Sequence, residues 1–193
     1  MVRTSRTDHA RATWALLPLT LGIALSGTLH SSPAAAIQPG RGGWYHTGNG
    51  VITKGVLVFE VDVFSVRHDM KCLPEHKSQA SVISANCDKQ LTWQALRNVG
   101  KDEIRDALRD GYAAVDYGEQ AKIGRVISAF ETGVKEGGIV TIAYDAGTRS
   151  TTFSPRRGTK VAIEGVEFMR ATWSILFANE ELAGVGRALI SKL

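Results

Sequence analysis

The chain reads as an α+β fold, and three features of its 193 residues say so. Strand-like segments come in blocks and do not alternate strictly with helices. Two stretches in the middle switch to a helical period. The last thirty or so residues are helical again, which gives the order β-β-α-α-β-β-β-α-α. Apolar residues make up 44% of the chain and charged residues 22%, ordinary values for a folded globular protein.

Residues 1–36 are expected to lie outside the fold. Arg3, Arg6 and Arg11 precede the apolar run "WALLPLTLGIALSGTL", and "SSPAAA" then places the small residues Ala34 and Ala36 ahead of Ile37. That is the pattern of a secretory signal peptide. A membrane-anchoring helix is the alternative, but Pro18, Gly22 and Gly27 interrupt the run. No Cys lies near the cleavage point and no Arg-Arg pair precedes the apolar run, so neither lipid attachment nor the twin-arginine route is indicated. Removing residues 1–36 takes away three Arg and one Asp, and the formal charge falls from +4 to +2. The remaining domain gives no electrostatic case for nucleic acid. The expectation is an exported protein, periplasmic or secreted, with no membrane span once processed.

Residues 37–50, rich in Gly and Pro, read as an extended lead-in to a domain over 51–193. The run 51–66 is β-branched and aromatic, and reads as one long strand bent at Gly55. Its alternation puts Leu57, Phe59, Val61 and Val63 on a core face, with Glu60 and Asp62 on the other. Two carboxylates so spaced could form a glycosidase-like pair. An outer-face position is the simpler reading. "KQLTWQAL" alternates strictly, with Leu91, Trp93 and Ala95 on one side of a half-buried strand.

In "KDEIRDALRDGYAAVDY" the apolar residues Ile104, Leu108, Tyr112 and Val115 fall on one helix face, and the acidic first turn suits the helix dipole. A second helix carries Ile123, Val126, Ile127 and Phe130. Three β segments follow, "GIVTIAYD", "STTFS" and "TKVAIEG", separated by the turns "DAGT" and "SPRRG". Two helices end the chain, presenting Phe168, Thr172, Ile175 and Leu176, then Leu182, Val185, Leu189 and Ile190.

Cys72 and Cys87 are the only two cysteines. In an exported chain an even count favours a disulfide, with two buried thiols as the alternative. His68, Asp69, Cys72, Glu75 and His76 crowd nine residues. Their spacing matches no compact metal site, so a solvated loop is expected there, with no metal and no cofactor. Arg156, Arg157 and Lys160 surround a turn, as a solvated tip or an anion contact. Gly48, Gly50 and Gly55 lack the Lys-Ser/Thr of a phosphate loop, and no G-x-S-x-G motif occurs.

"GNGVITKGVLVFEVDVF", "LTWQALRNVGKDEIRDAL" and "GGIVTIAYDAG…IEGVEFMRATWSILFANEELAGVGRALISKL" together resemble the bacterial chalcone isomerase-like proteins. These are exported relatives of plant chalcone isomerase and of the fatty-acid-binding proteins of that fold. Ile163, Gly165, Phe168 and Ala171 match the family's Ile-x-Gly-x-x-Phe-x-x-Ala pattern. The resemblance covers about 48–193. It implies an open-faced β-sandwich, a mostly antiparallel sheet covered on one face by helices, with a ligand cleft between them.

In that family an Arg on the first core strand, a Tyr and small hydroxyl residues hold the ligand. Here Ile52 stands at the Arg position, the Tyr position aligns near Glu103 or Ile104, and the hydroxyl position near Ala183. The departure implies a non-catalytic binder of a small hydrophobic molecule, a fatty acid or similar. The expected lining is Ile52, Phe59, Ile104, Leu108, Tyr112, Trp173 and Phe177. A divergent isomerase or lyase would need a new cation near the cleft, for which Arg67 and Arg105 are the candidates. A structural or partner-binding envelope protein without ligand is the third reading. If Cys72 and Cys87 are bridged, the closed loop contributes ~3 kcal/mol, and reduction should lower the melting temperature by roughly 5–10 °C. An unchanged melting curve under reductant would argue against the bridge.

Overall fold

Every strand pairs with its neighbour in the chain. The computed structural model describes residues 37–56 and 59–193, without the side chains of Val56 and Phe59. The signal-peptide reading concerns residues outside that range. Six strands, β1 (Tyr45–Val56), β2 (Phe59–Met70), β3 (Lys89–Ala95), β4 (Ile139–Asp145), β5 (Ser150–Pro155) and β6 (Val161–Glu164), form one antiparallel sheet in the order β1-β2-β3-β4-β5-β6. Five helices are inserted: α1 (Gln79–Ser84), α2 (Lys101–Ala113), α3 (Gln120–Ser128), α4 (Val166–Phe177) and α5 (Ala183–Leu189).

The period of two decides which face of the sheet is covered. Leu91, Val140, Ile142, Tyr144, Phe153 and Ile163 are buried, while Gln90, Thr92, Thr141, Thr152 and Ser154 on the alternate positions are only half-buried. The helices pack on the apolar side. Ile104, Leu108 and Tyr112 of α2, Ile123 and Val126 of α3, and Phe168, Thr172 and Leu176 of α4 are buried there.

The first two strands correct the sequence reading. The run expected as one strand over 51–66 belongs to a hairpin, whose ladder runs from Tyr45↔Met70 to Val56↔Phe59. The residues 45–50, expected in the lead-in, are paired in β1. The bend expected at Gly55 is in fact the approach to a full reversal, since Gly55 pairs with Glu60. A register shift between Ile52 and Thr53 further breaks the alternation, so Val63 and Phe64 are both buried and Val61 is exposed. Glu60 and Asp62 are exposed near the hairpin end, opposite Gly55 and Thr53.

Gly48 is a seat for α5. A Cβ there would stand 2.2 Å from the Ala188 carbonyl oxygen, so any larger residue would push the helix off β1. Gly165 leads β6 into α4 with φ of 120°, a conformation open to Gly alone. Two of the resembling glycines are thus fixed by packing and backbone geometry.

Cys72 and Cys87 are joined, with Cα atoms 6.2 Å apart. Their loop contains α1, capped by the Ser78 side chain, which accepts from the Ser81 backbone N–H. The Lys89 ammonium is fully buried and closes the other end of this helix, donating to the carbonyls of Val82 (2.7 Å) and Ile83 (3.0 Å) and lying 5.0 Å from the Trp173 ring centre. Burial, with help from Arg170, lowers its pKa to about 7.

His68 and Asp69, expected in a solvated loop, are buried in β2. Trp173 Nε1–H donates to His68 Nε2 at 3.0 Å, which fixes the tautomer as Nδ1–H. His68 Nδ1–H then donates to Thr47 Oγ1 at 2.6 Å, and Thr47 Oγ1–H donates to the Leu189 carbonyl at 2.7 Å. One buried chain of hydrogen bonds links β1, β2, α4 and the end of α5. Burial, and to a lesser degree the charge of Lys89, pushes the His68 pKa down to about 3. Burial pushes the Asp69 carboxyl up, but the Arg67 guanidinium and His46 outweigh it and hold the group below the usual range.

The sign of the His68 effect follows from linkage. Between pH 6.5 and about 3 the unfolded chain holds a proton that the folded chain refuses, so stability is full above pH 6.5 and falls on acidification. His68→Gln, which can keep both hydrogen bonds, should reduce the slope of unfolding free energy against pH in this window by about 1.4 kcal/mol per unit. His68→Leu should destabilise by about 2 kcal/mol at neutral pH, because it leaves the buried Trp173 Nε1–H without an acceptor. Lys89 acts in another window. The unfolded chain binds the extra proton between about pH 7 and 10.5, so stability attributable to this group rises with pH there. Lys89→Met should remove that rise in denaturant titrations, and an identical slope in both proteins would contradict the lowered Lys89 pKa.

Candidate functional site

Between the sheet and α2 and α4 lies a hollow of about 750 Å³. Its floor comes from Phe64, Trp93, Val140, Ile142 and Phe153 on β2 to β5. One wall is α2, through Ile104, Ala107, Leu108, Gly111 and Tyr112. The opposite wall is α4 and the turn after it, through Thr172, Ile175, Leu176 and Leu182. Ile52 closes the β1 side. The volume suits a ligand of a few hundred daltons, and the lining is mostly hydrocarbon.

Four of the expected lining residues, Ile52, Ile104, Leu108 and Tyr112, stand on this surface. Trp173 and Phe177 are not among its lining residues. They are fully buried one turn apart on the other side of α4, with ring centres 6.4 and 5.2 Å from His68. The helical period separates them from Thr172, Ile175 and Leu176. The Phe59 side chain lies outside the described residues. Ala183, at the start of α5, does not line the hollow.

Inside the hollow the polar groups are few. The Tyr112 hydroxyl lies 3.0 Å from Thr172 Oγ1, and Thr172 donates its own proton to the Phe168 carbonyl at 2.8 Å. Tyr112 is therefore the donor of the pair. Burial raises its pKa well above the ordinary phenol value, so it keeps its proton at any physiological pH. Phe64 and Trp93 pack with ring centres 5.4 Å apart.

The charged rim corrects the sequence reading. Arg67 is engaged with Asp69 and Arg105 with Asp102 and Asp106, and neither lines the hollow. Two other cations do: Lys54 and Arg97. Both converge on Glu103. Arg97 grips it with two hydrogen bonds, one of them 3.1 Å to Oε2, and Lys54 Nζ is 3.7 Å from Oε1. The Arg97 contact holds the Glu103 carboxyl below its ordinary range. Asp106, Asp110 and Glu181 also line the opening. The sequence signal for Arg97 and Lys54 was weak, because each is brought to the hollow by a turn or a hairpin and not by its place on a helix.

The other singled-out residues serve elsewhere. Among the described residues no group of His, Cys, Asp and Glu could hold a metal ion. Arg156 and Arg157 line a separate shallow cavity of about 600 Å³ beside the turn 132–138.

No family model matches the chain, and no curated protein matches it. Among solved structures, the crystal structure of a fatty-acid binding protein from Arabidopsis thaliana superposes with a TM-score of 0.62 at 12% sequence identity, covering 82% of this chain and 90% of that one. At that identity the likeness is one of fold. The chain has the open antiparallel sheet with helices of the chalcone isomerase-like fold.

Proposed function

We propose that this chain is a non-catalytic binding module that holds a small hydrophobic molecule in the hollow between sheet and helices. The observation that carries the reading is the apolar volume itself, walled by Ile52, Ile104, Leu108 and Tyr112 beneath α2 and α4. The fold neighbour is a fatty-acid binding protein, which supports a ligand of that size class. Catalysis of an isomerase kind finds little support, because an anionic intermediate needs a free positive group and both lining cations are engaged by Glu103. The linked cysteines and the N-terminal pattern support action in an oxidising compartment outside the cytoplasm.

Diphenylhexatriene, a hydrocarbon that fluoresces only out of water, tests this directly. It should bind one site with a dissociation constant in the micromolar range. Leu108→Trp, which fills the hollow from the α2 wall, should weaken binding about tenfold while the far-ultraviolet circular dichroism stays the same. Undiminished binding by a folded Leu108→Trp protein would place the probe elsewhere and overturn the proposal.

A further inference from the structure

The second cavity, of about 600 Å³, shares no lining residue with the hollow. Two segments build it: the turn 132–138, which leads from α3 into β4, and the turn 155–158, which leads from β5 towards β6. Glycines make up much of its wall, and three of them have no room for a side chain. An added Cβ would stand 2.5 Å from the Val99 carbonyl oxygen at Gly133, 2.6 Å from that of Lys135 at Gly138, and 2.5 Å from that of Ala129 at Gly158. The wall is therefore close-packed backbone that cannot shift easily.

The backbone donors of the first turn are already used. The N–H groups of Gly133, Val134, Gly137 and Gly138 donate to the carbonyls of Phe130, Val99, Ala95 and Lys135, and that of Glu136 donates to Asn98 Oδ1. Recognition falls to side chains. Lys135, Arg156 and Arg157 bring three positive charges to the lining and Glu136 one negative. None of the four forms an ion pair among the described residues. At the rim of the hollow, by contrast, Glu103 engages both cations. Glu131 and Lys160, which flank the lining residues in sequence, cancel each other and leave the positive surplus unchanged.

The two arginines are held at the cavity by their own backbone. Arg156 N–H donates to the Ile139 carbonyl at 2.8 Å, and the Arg157 carbonyl accepts from Thr132 Oγ1 at 3.3 Å. Like charges are thus fixed side by side with no counterion, and an anion between them would relieve the repulsion. Two guanidinium forks offer more donors than one carboxylate can accept, whereas a phosphate has oxygens for both. A phosphate monoester also carries close to two negative charges at neutral pH, which matches the surplus. The volume is in the range of small-molecule sites, so the alcohol half of the ester fits as well.

We propose that this cavity is a second binding site, for a phosphate ester, with Arg156 and Arg157 gripping the phosphate oxygens, Lys135 adding charge and Glu136 limiting the affinity. The site is independent of the hollow. Its ligand is a soluble phosphate ester or the phosphate of a lipid head group, which share this chemistry.

Isothermal titration calorimetry at pH 7.5 and low salt tests the soluble form. Glycerol 3-phosphate should bind one site with a dissociation constant below about 1 mM, and acetate about tenfold more weakly. The double variant Arg156→Gln, Arg157→Gln should weaken glycerol 3-phosphate about thirtyfold, and Glu136→Gln should tighten it about threefold. Far-ultraviolet circular dichroism checks that both variants fold. Co-sedimentation with phosphatidylcholine vesicles that contain phosphatidic acid tests the lipid form. Vesicle binding without glycerol 3-phosphate binding, lost in the double variant, assigns the phosphate to a lipid head group; the reverse assigns it to a soluble ester. The proposal is overturned if neither probe binds, if acetate binds as tightly as glycerol 3-phosphate, or if the folded double variant binds as the parent does.

Discussion

The hydrogen-bonded chain Trp173–His68–Thr47–Leu189 fixes where α4 and α5 lie on the sheet. It works only with a neutral imidazole, because Trp173 already donates to His68 Nε2 and a second proton there would meet another donor. Burial supplies most of that neutrality, and the charge of Lys89 adds to it. The consequence reaches the hollow. Once Trp173 and Phe177 are bound to the sheet through His68, helix geometry leaves Thr172, Ile175 and Leu176 on the side that faces α2. The face of α4 that anchors and the face that lines are set by the same contact.

Electrostatics at the opening follow a different logic. Lys54 and Arg97 come from the hairpin and from the turn before α2, and Glu103 from the first turn of α2 itself. An acidic residue in a first helical turn is favoured by the dipole, and here it also gathers two cations from other elements. Half-buried, this cluster ties the α2 N-terminus to the sheet more than it advertises positive charge. A fold can keep its sheet and helices while the groups around its cleft change sign and partner, which is why site chemistry has to be read from residues and not from topology.

Most of the architecture was legible. Strict alternation in β3 and the 3.6-residue stripes of α2 and α3 were visible because each element has one clean buried face. The hairpin was not, since Gly55 signals only a bend and the Gly-rich first arm reads as lead-in. His68 looked like a loop residue because it stands among charges, Arg67 and Asp69, and near Cys72. Its burial depends on Trp173, 105 residues away, which no local pattern reveals. The α2 side of the hollow was readable from Ile104, Leu108 and Tyr112. On α4 the expected Trp173 and Phe177 anchor the helix through His68, and Thr172, Ile175 and Leu176 line the hollow in their place.

The hollow is not a packing fault, and the small residues of α2 show why. Ala107, Gly111 and Ala114 recur at helical spacing along the opening, with Gly111 against Ile175 so closely that an added Cβ would lie 3.0 Å from its Cγ2. Contact at Gly111 sets the distance between α2 and α4, and the alanines to either side leave the space above the floor unfilled. On the far side of α4 the same chain packs Trp173 and Phe177 against His68 to almost no exposure. A sequence able to fill one half of its core this completely, while placing Ala and Gly where larger side chains would close the other half, holds that second half open by composition. The anchoring face of α4 thus fixes the frame, and the small residues of α2 set how much room is left on its other face.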